Sequence, residues 1–141
     1  MKNTWLFIIL CVSSTTSVAS DFCKKLPINP GFPSGLGGQY EVIGRDPNTG
    51  SAYTGKLSVS YGKSSYALTR TVQGKTINGE AWAEQCGMDK ILGFHARYYT
   101  KPVTEIGCRL GNDADNYNRL TCRTRQGGKN WPGLESWFQT H

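Results

Sequence analysis

The chain has 141 residues, of which 18% are charged, and a formal net charge of +6. This length supports one domain with one modest core. A mildly basic surface suits an acidic protein, a glycan or an anionic envelope polymer. The modest charge and the lack of an RNA-binding aromatic motif argue against nucleic acid, so we predict no nucleic-acid partner.

The first 20 residues have the pattern of a secretory signal peptide. A short start that contains Lys2 precedes an apolar run over 5–12, and a small, polar exit ends at Ala19 and Ser20. The apolar run has roughly half of the about 20 residues that a membrane span needs. We therefore predict cleavage after Ser20, no membrane span, and a periplasmic or secreted protein.

Four cysteines remain after this cleavage, an even number that suits disulfides in an oxidising compartment. Cys108 and Cys122 lie symmetrically about the turn-forming stretch 112–116, so a hairpin closed there would bring them face to face. Cys23 would then pair with Cys86, although a Cys86–Cys108 pairing stays open. The chain has no CxxC or CxxH pattern, and we predict neither a metal site nor a cofactor.

Alternation with period two dominates the chain after an N-terminal arm over 21–38 that is rich in Pro and Gly and is predicted to be irregular or extended. A single β domain is predicted for 39–141. Its turn signals recur about every 8–12 residues, which is typical of an antiparallel meander. The predicted strands cover 39–45, 53–61, 66–72, 77–86, 91–99, 104–110 and 118–125.

The tail over 127–141 predicts either one helical turn or a closing strand. Glycines inside several strand patterns favour a strongly curved barrel over a flat sandwich. The predicted fold class is therefore all-β: a small, disulfide-linked antiparallel meander of about 7–8 strands that closes into a barrel or a sandwich.

Several strand motifs resemble those of a group of small exported bacterial β proteins. In chain order the motifs are Gly38-x-Tyr40, Gly50-x-x-Tyr53-x-Gly55, Tyr66-x-Leu68-x-Arg70 and, near the end, Gly133-Leu134-Glu135. The resemblance covers residues 38–80 and the tail. It implies a lipocalin- or avidin-like barrel topology and no established activity.

Arginines form the first group of candidate binding residues. Arg119, Arg123 and Arg125 alternate along one face of the last predicted strand. Arg109, on the predicted hairpin partner, extends them into a basic ridge. Guanidinium groups hold carboxylates and phosphates through paired hydrogen bonds, so this ridge is a candidate site for such groups.

Trp82 is a second candidate, because it shares a strand face with Glu80 and Glu84, and an exposed tryptophan often anchors a partner. The backbones of the two acids are about 13 Å apart on a strand. Glycosidase carboxyl groups are about 5–9.5 Å apart, which disfavours that reaction. No serine or cysteine accompanies a usable base, so we predict no catalytic residue and no enzyme.

Two polar turns are candidate contact loops. Asp46 and Asn48 belong to the first turn, and Asp113 and Asp115 belong to the second. A small, exported, disulfide-linked domain without catalytic machinery is typical of a protein-binding module. We predict an exported non-catalytic binding protein, such as a hydrolase inhibitor or a toxin-immunity protein of the bacterial envelope, with an exported or envelope protein as its partner.

The alternative is a barrel whose mouth binds a small ligand or a glycan, with Tyr40, Tyr53, Tyr66 and Trp82 as its lining. A ligand-shaped cavity would favour this alternative, whereas a filled barrel would favour the protein-binding module. A buried carboxylate or histidine in a cleft would favour an enzyme.

Overall fold

The computed structural model describes residues 23–28, 36–46, 48–87, 91–112, 118–126 and 129–140. The predicted signal peptide over 1–20 lies outside the described residues. Nine strands follow in chain order: β1 (Cys23–Lys25), β2 (Gly38–Arg45), β3 (Ala52–Tyr61), β4 (Tyr66–Val72), β5 (Lys75–Cys86), β6 (Ile91–Tyr98), β7 (Thr104–Asn112), β8 (Asn118–Gln126) and β9 (Lys129–Thr140). The described residues contain no helix with the length and apolar character to cross a membrane.

Eight of these strands close into one antiparallel barrel. Strands β2 to β9 each pair with their neighbours in chain order, and β2 closes the ring by pairing with β9. The short strand β1 lies outside the ring and pairs with the last three residues of β5, beyond the start of β4. The all-β prediction is confirmed, and the architecture is a barrel.

Turn chemistry sets the β2–β3 and β4–β5 hairpins. The Asp46 carboxylate accepts the backbone N–H groups of Asn48 and Thr49 at 2.7 and 2.9 Å, and Gly50 then takes a φ of 71°. The turn between β4 and β5 has positive φ at Gln73 and at its successor glycine, 49° and 76°. This combination matches a type I′ turn, whose twist fits a two-residue hairpin.

Strand alternation directs one face of each strand into a filled core. The largest buried side chains include Trp137, Tyr40 and Tyr66. The Trp137 ring packs edge-on against Tyr40 and Phe94, with centroids 6.2 and 5.8 Å away. Because Trp137 lies in the barrel centre, the tail is the closing strand and not a helical turn.

The two ends of the barrel differ. At one end, which we call the closed end, Leu36 is buried and its carbonyl oxygen accepts the Tyr40 hydroxyl at 2.7 Å. The Tyr61 ring lies against Gly37, where a Cβ would come within 2.5 Å of it. The opposite end, where β2 meets β3 and β6 meets β7, has no comparable plug among the described residues, and we call it the open end.

Both predicted disulfides are present. Cys108–Cys122 joins directly paired residues of β7 and β8, and both side chains are buried. Cys23–Cys86 joins β1 to β5. These bonds exclude the Cys86–Cys108 alternative. They are compatible with an oxidising, exported location.

Candidate functional site

Glu135 is a buried carboxylate on the inward face of β9, with a relative exposure of 1%. Its Oε2 accepts the Tyr53 hydroxyl at 2.5 Å and Arg70 Nη2 at 2.8 Å. Its Oε1 accepts Trp137 Nε1 at 2.7 Å and Arg70 Nε at 3.4 Å. A carboxylate has about four lone-pair sites, so these donors occupy its whole accepting capacity.

Arg70 reaches this carboxylate from β4 and lies between two aromatic rings. Its guanidinium carbon is 5.1 Å from the Tyr53 ring centroid and 5.3 Å from that of Tyr98. Burial disfavours the charge, but Glu135 and the two tyrosines raise the pKa of Arg70 above its ordinary value. The result is a fixed ion pair without net charge.

A cavity of about 150 Å³ lies over this ion pair at the open end of the barrel. Tyr53, Tyr98, Thr104 and Thr124 contribute to its wall, and Asp46 lies at its rim. An apolar protein cavity of about 150 Å³ holds a benzene molecule. This cavity therefore has the volume for one six-membered ring, and its wall combines polar side chains with apolar surface from residues such as Ile77 and Ile106.

Two hydroxyl groups in the cavity wall, Tyr98 Oη and Thr124 Oγ1, have no hydrogen-bond partner among the described residues. Tyr98 is 2% exposed and Thr124 is 7% exposed. An unpaired buried hydroxyl costs about 1–3 kcal/mol, so two in one cavity require an explanation. A third such hydroxyl, that of Tyr66, belongs to the closed end and does not line this cavity.

The buried tyrosines share an electrostatic environment that disfavours ionisation. Burial raises the pKa of Tyr98 and Tyr53, and the negative charge of Glu135 raises both further. Burial also raises the pKa of Tyr40 and Tyr66. All four phenols therefore keep their protons in the folded protein at a pH where an unfolded chain releases them.

This shift predicts alkaline destabilisation. Above the ordinary tyrosine pKa of about 10, the unfolded state binds fewer protons than the folded state, so stability falls as pH rises. Below that value the four tyrosines contribute their full stability. Denaturant titrations between about pH 8 and about pH 11, combined with tyrosinate absorbance, should show these phenols ionising together with unfolding. Gradual ionisation of the four phenols in a folded barrel would contradict the prediction.

The structure places one of the two predicted contact loops. Asp46 and Asn48 lie at the rim of the open-end cavity. Asp113 and Asp115 lie outside the described residues.

The predicted aromatic lining of the barrel mouth is mostly wrong. Tyr53 does line the cavity. Tyr40 and Tyr66 are buried in the core, and Trp82 belongs to the outward face of β5. Period-two alternation predicts which side of a strand a residue occupies, but it carries no information on depth along the barrel axis.

Trp82 lies on the outer face with its two acidic neighbours, as the sequence predicted, and it is partly covered. Its ring stacks on His95 at a centroid distance of 4.7 Å, and the Lys25 ammonium lies 4.9 Å from the ring centroid. Its indole N–H donates to Glu84. Glu80 instead faces an arginine of β6 at 3.7 Å, so the two acids have separate partners.

The four predicted ridge arginines are exposed on adjacent outer faces. Arg109 belongs to β7, and Arg119, Arg123 and Arg125 belong to β8. The structure therefore brings these four residues together on the outside of the barrel, away from the cavity.

One cluster of potential metal ligands occurs in the described part of the chain. Cys23, Glu84 and Cys86 bring their ligand atoms within 4.8 Å of one another. The two sulfurs are joined in a disulfide, so neither can offer the thiolate that a metal site would need.

Arg70 and Glu135, at the centre of the cavity, were not among the predicted site residues, although the sequence contains a signal for them. Arg70 follows Leu68 at an inward position of β4, and Glu135 precedes Trp137 at an inward position of β9. A charged residue at an inward position predicts a buried partner of opposite charge. If the tail is taken as a strand, this rule selects Arg70 and Glu135 as candidate partners.

Comparisons with known proteins give no relative: no family model, no curated protein and no solved structure matches the chain. The resemblance to small exported bacterial β proteins therefore stays a prediction. Function has to be argued from the chemistry of the site, since a barrel fold supports many activities.

Proposed function

We propose that this protein is an exported, non-catalytic binding protein that holds a small, uncharged polyhydroxy ligand at the open end of its barrel. The observation that carries the proposal is the pair of unpartnered hydroxyls, Tyr98 and Thr124, in one ring-sized cavity. A hydroxyl group both donates and accepts, so the hydroxyls of a sugar or polyol match both protein groups.

The electrostatics of the cavity favour a ligand without net charge. Arg70 and Glu135 neutralise each other at 2.8 Å, so neither offers an uncompensated charge. An anionic ligand would also face the Asp46 carboxylate at the rim. A cationic ligand would have to compete with the Arg70 guanidinium for the Glu135 carboxylate, which already holds it. A neutral polyol avoids both costs.

The same geometry argues against catalysis. Glu135 is a buried carboxylate in a cleft, which would favour an enzyme if it could reach a substrate proton. All four of its hydrogen bonds come from protein donors, on Tyr53, Trp137 and Arg70. The described residues that line the cavity include no histidine and no cysteine. The carboxylate therefore serves as a structural anchor for Arg70.

Removing the two hydroxyls tests the proposal. We expect Tyr98→Phe and Thr124→Val to keep or slightly raise the free energy of unfolding, because each deletes an unpaired buried group. Both should weaken ligand binding by about tenfold or more. Calorimetry and chemical-shift titration with glucose, galactose, inositol and glycerol provide the measurement, with glucuronate and glucosamine as charged controls.

Two outcomes would contradict this proposal. One is the absence of a saturable response to any neutral sugar or polyol. The other is a Tyr98→Phe protein that is destabilised by more than about 1 kcal/mol, since that would show the hydroxyl to be satisfied within the protein. Tyr99→Phe is a matched control, because Tyr99 is 59% exposed and does not line the cavity.

A protein-binding module is the second candidate, and the first turn favours it. Asp46 fixes this turn through two backbone hydrogen bonds, and those bonds lower the pKa of its carboxyl group. A rigid acidic turn at a barrel rim suits insertion into the cleft of an exported hydrolase. The ligand titration separates the candidates, since an inhibitor of this kind needs no sugar response.

A further inference from the structure

The outer surface of β7 and β8 carries arginines at a regular spacing. Arg119, Arg123 and Arg125 face outward from β8, and Arg109 of β7 is directly paired with Thr121. Arg109 therefore occupies the gap between Arg119 and Arg123 on the neighbouring strand. With a strand rise of about 3.3 Å per residue, the backbone positions of the four arginines follow one another about every 6–7 Å along the strand direction, over about 20 Å. We call this set the arginine row.

Glycines lie beside the arginine row. Gly107 is paired with Arg123, and Gly111 is paired with Arg119. A Cβ at Gly107 would meet nothing within 4 Å, and one at Gly111 would meet only a backbone oxygen at 3.7 Å. Neither glycine has a left-handed φ, so the fold requires glycine at neither position. Strand glycines mark bulges, tight bends or places where a ligand approaches the backbone. The β7–β8 pairing has no register shift at Gly107 or Gly111, so neither glycine marks a bulge.

Among the described residues, charged side chains of both signs border the row at one end and apolar side chains border it on the β9 side. Glu105 is paired with Arg125 in the sheet, and its carboxylate faces Arg97 at 3.7 Å. On the β9 side, Leu134 is paired with Arg123 and is 53% exposed. Phe138, which is half-buried, is paired with the first arginine of the row.

We propose that the arginine row and its two glycines bind a linear acidic polysaccharide, a chain with carboxylate or sulfate groups on successive sugars. The guanidinium fork matches such groups bidentately. The even spacing of the arginine positions along the strands suits a polymer more than a single anion. Gly107 and Gly111 leave room for sugar rings against the backbone, and Leu134 and Phe138 offer apolar contact to their C–H faces. This surface is separate from the open-end cavity, so the proposal stands independently of the proposed function.

The charge contribution is tested with an oligogalacturonate as the probe and neutral dextran as the control polymer. We expect Arg109→Gln combined with Arg123→Gln to weaken oligogalacturonate binding at least about tenfold at low salt. Lys56→Gln combined with Lys75→Gln removes the same charge from exposed positions on β3 and β5 and should change the affinity less than about twofold. Equal losses in the two double variants would overturn the proposal.

The steric contribution is tested with Gly107→Val. Valine suits a strand and its Cβ meets nothing here, so the melting temperature should stay the same or rise. Oligogalacturonate binding should nevertheless fall at least about tenfold, because the side chain would fill the space over the backbone. Unchanged binding would overturn the proposal, as would wild-type protein that does not bind the probe. Equal affinity for single-stranded DNA of the same charge would show that charge alone is recognised, and would also overturn it.

Discussion

Glu135→Leu is expected to lower the free energy of unfolding by about 3–5 kcal/mol, because it leaves the buried Arg70 guanidinium without a counter-charge. Glu135 is 1% exposed and the Arg70 side chain is 12% exposed, so water cannot readily replace the lost partner. The variant also removes the acceptor of the Tyr53 and Trp137 hydrogen bonds. Equilibrium denaturation of the oxidised protein measures the change.

The double variant Arg70→Met with Glu135→Leu distinguishes charge from packing. It removes both charges and keeps comparable volume, so it should recover most of the stability lost in the single variant. Glu41→Gln is the matched control, since Glu41 is an exposed acid on β2 and its loss should cost less than about 0.5 kcal/mol. A Glu135→Leu cost below about 1 kcal/mol would mean that Arg70 finds solvent, and the fixed ion pair would be wrong.

Cys108→Ala combined with Cys122→Ala is expected to destabilise the barrel by about 3 kcal/mol or more. The bond closes a segment with a sequence separation of 14, for which chain entropy alone gives about 3 kcal/mol. Both sulfurs are also buried in the core, so their loss removes packing. Thermal unfolding should show a decrease in melting temperature on the order of 10 °C.

The second disulfide provides the comparison. Its sequence separation of 63 would give the larger entropic effect, about 4 kcal/mol, if arm and barrel unfolded as one unit. We expect the double variant Cys23→Ala with Cys86→Ala to lose less stability than the variant without Cys108–Cys122. The reason is that β1 is a three-residue exposed strand that can detach while the ring stays closed. The reverse order of the two losses would show that the arm folds as an integral part of the barrel.

Much of the fold follows from local patterns in the sequence. Alternation identified seven of the eight barrel strands, β2 to β8, to within a few residues, and turn residues such as Gly50 and Gly74 marked where strands end. The ring closure between β2 and β9 carries no local signal, because it joins strands from opposite ends of the domain. For the same reason the sequence allowed either a helical turn or a closing strand in the tail, and the burial of Trp137 in the core shows that the tail is the closing strand.

The N-terminal arm was harder to predict than the strands. Its composition indicated an irregular or extended segment, and β1 is extended as allowed. The burial of Leu36 was not predicted, because a single apolar residue next to glycines has no periodic pattern around it. Its position as a plug depends on tertiary contact with Tyr40.

The two candidate sites also differ in how far the sequence predicts them. The arginine row lies on one outer face and was predicted by alternation together with one hairpin. The cavity is formed by Tyr53, Arg70, Tyr98 and Glu135, which come from four different strands, and they meet only when the ring is closed. Alternation predicts whether a side chain points into or out of the barrel. Its position along the barrel axis depends on the closure of the ring and on the stagger of the strands.

The position of β1 has a consequence for the unoxidised chain. Residues 84–86 of β5 extend past the start of β4, and β1 covers that stretch of edge with a strand that carries Lys24 and Lys25. An uncovered edge offers unpaired N–H and C=O groups to a strand of another molecule, and lysines oppose such pairing. Cys23–Cys86 ties β1 to this edge, so we expect the unoxidised chain to expose the edge more readily and to self-associate through it more than the oxidised chain does.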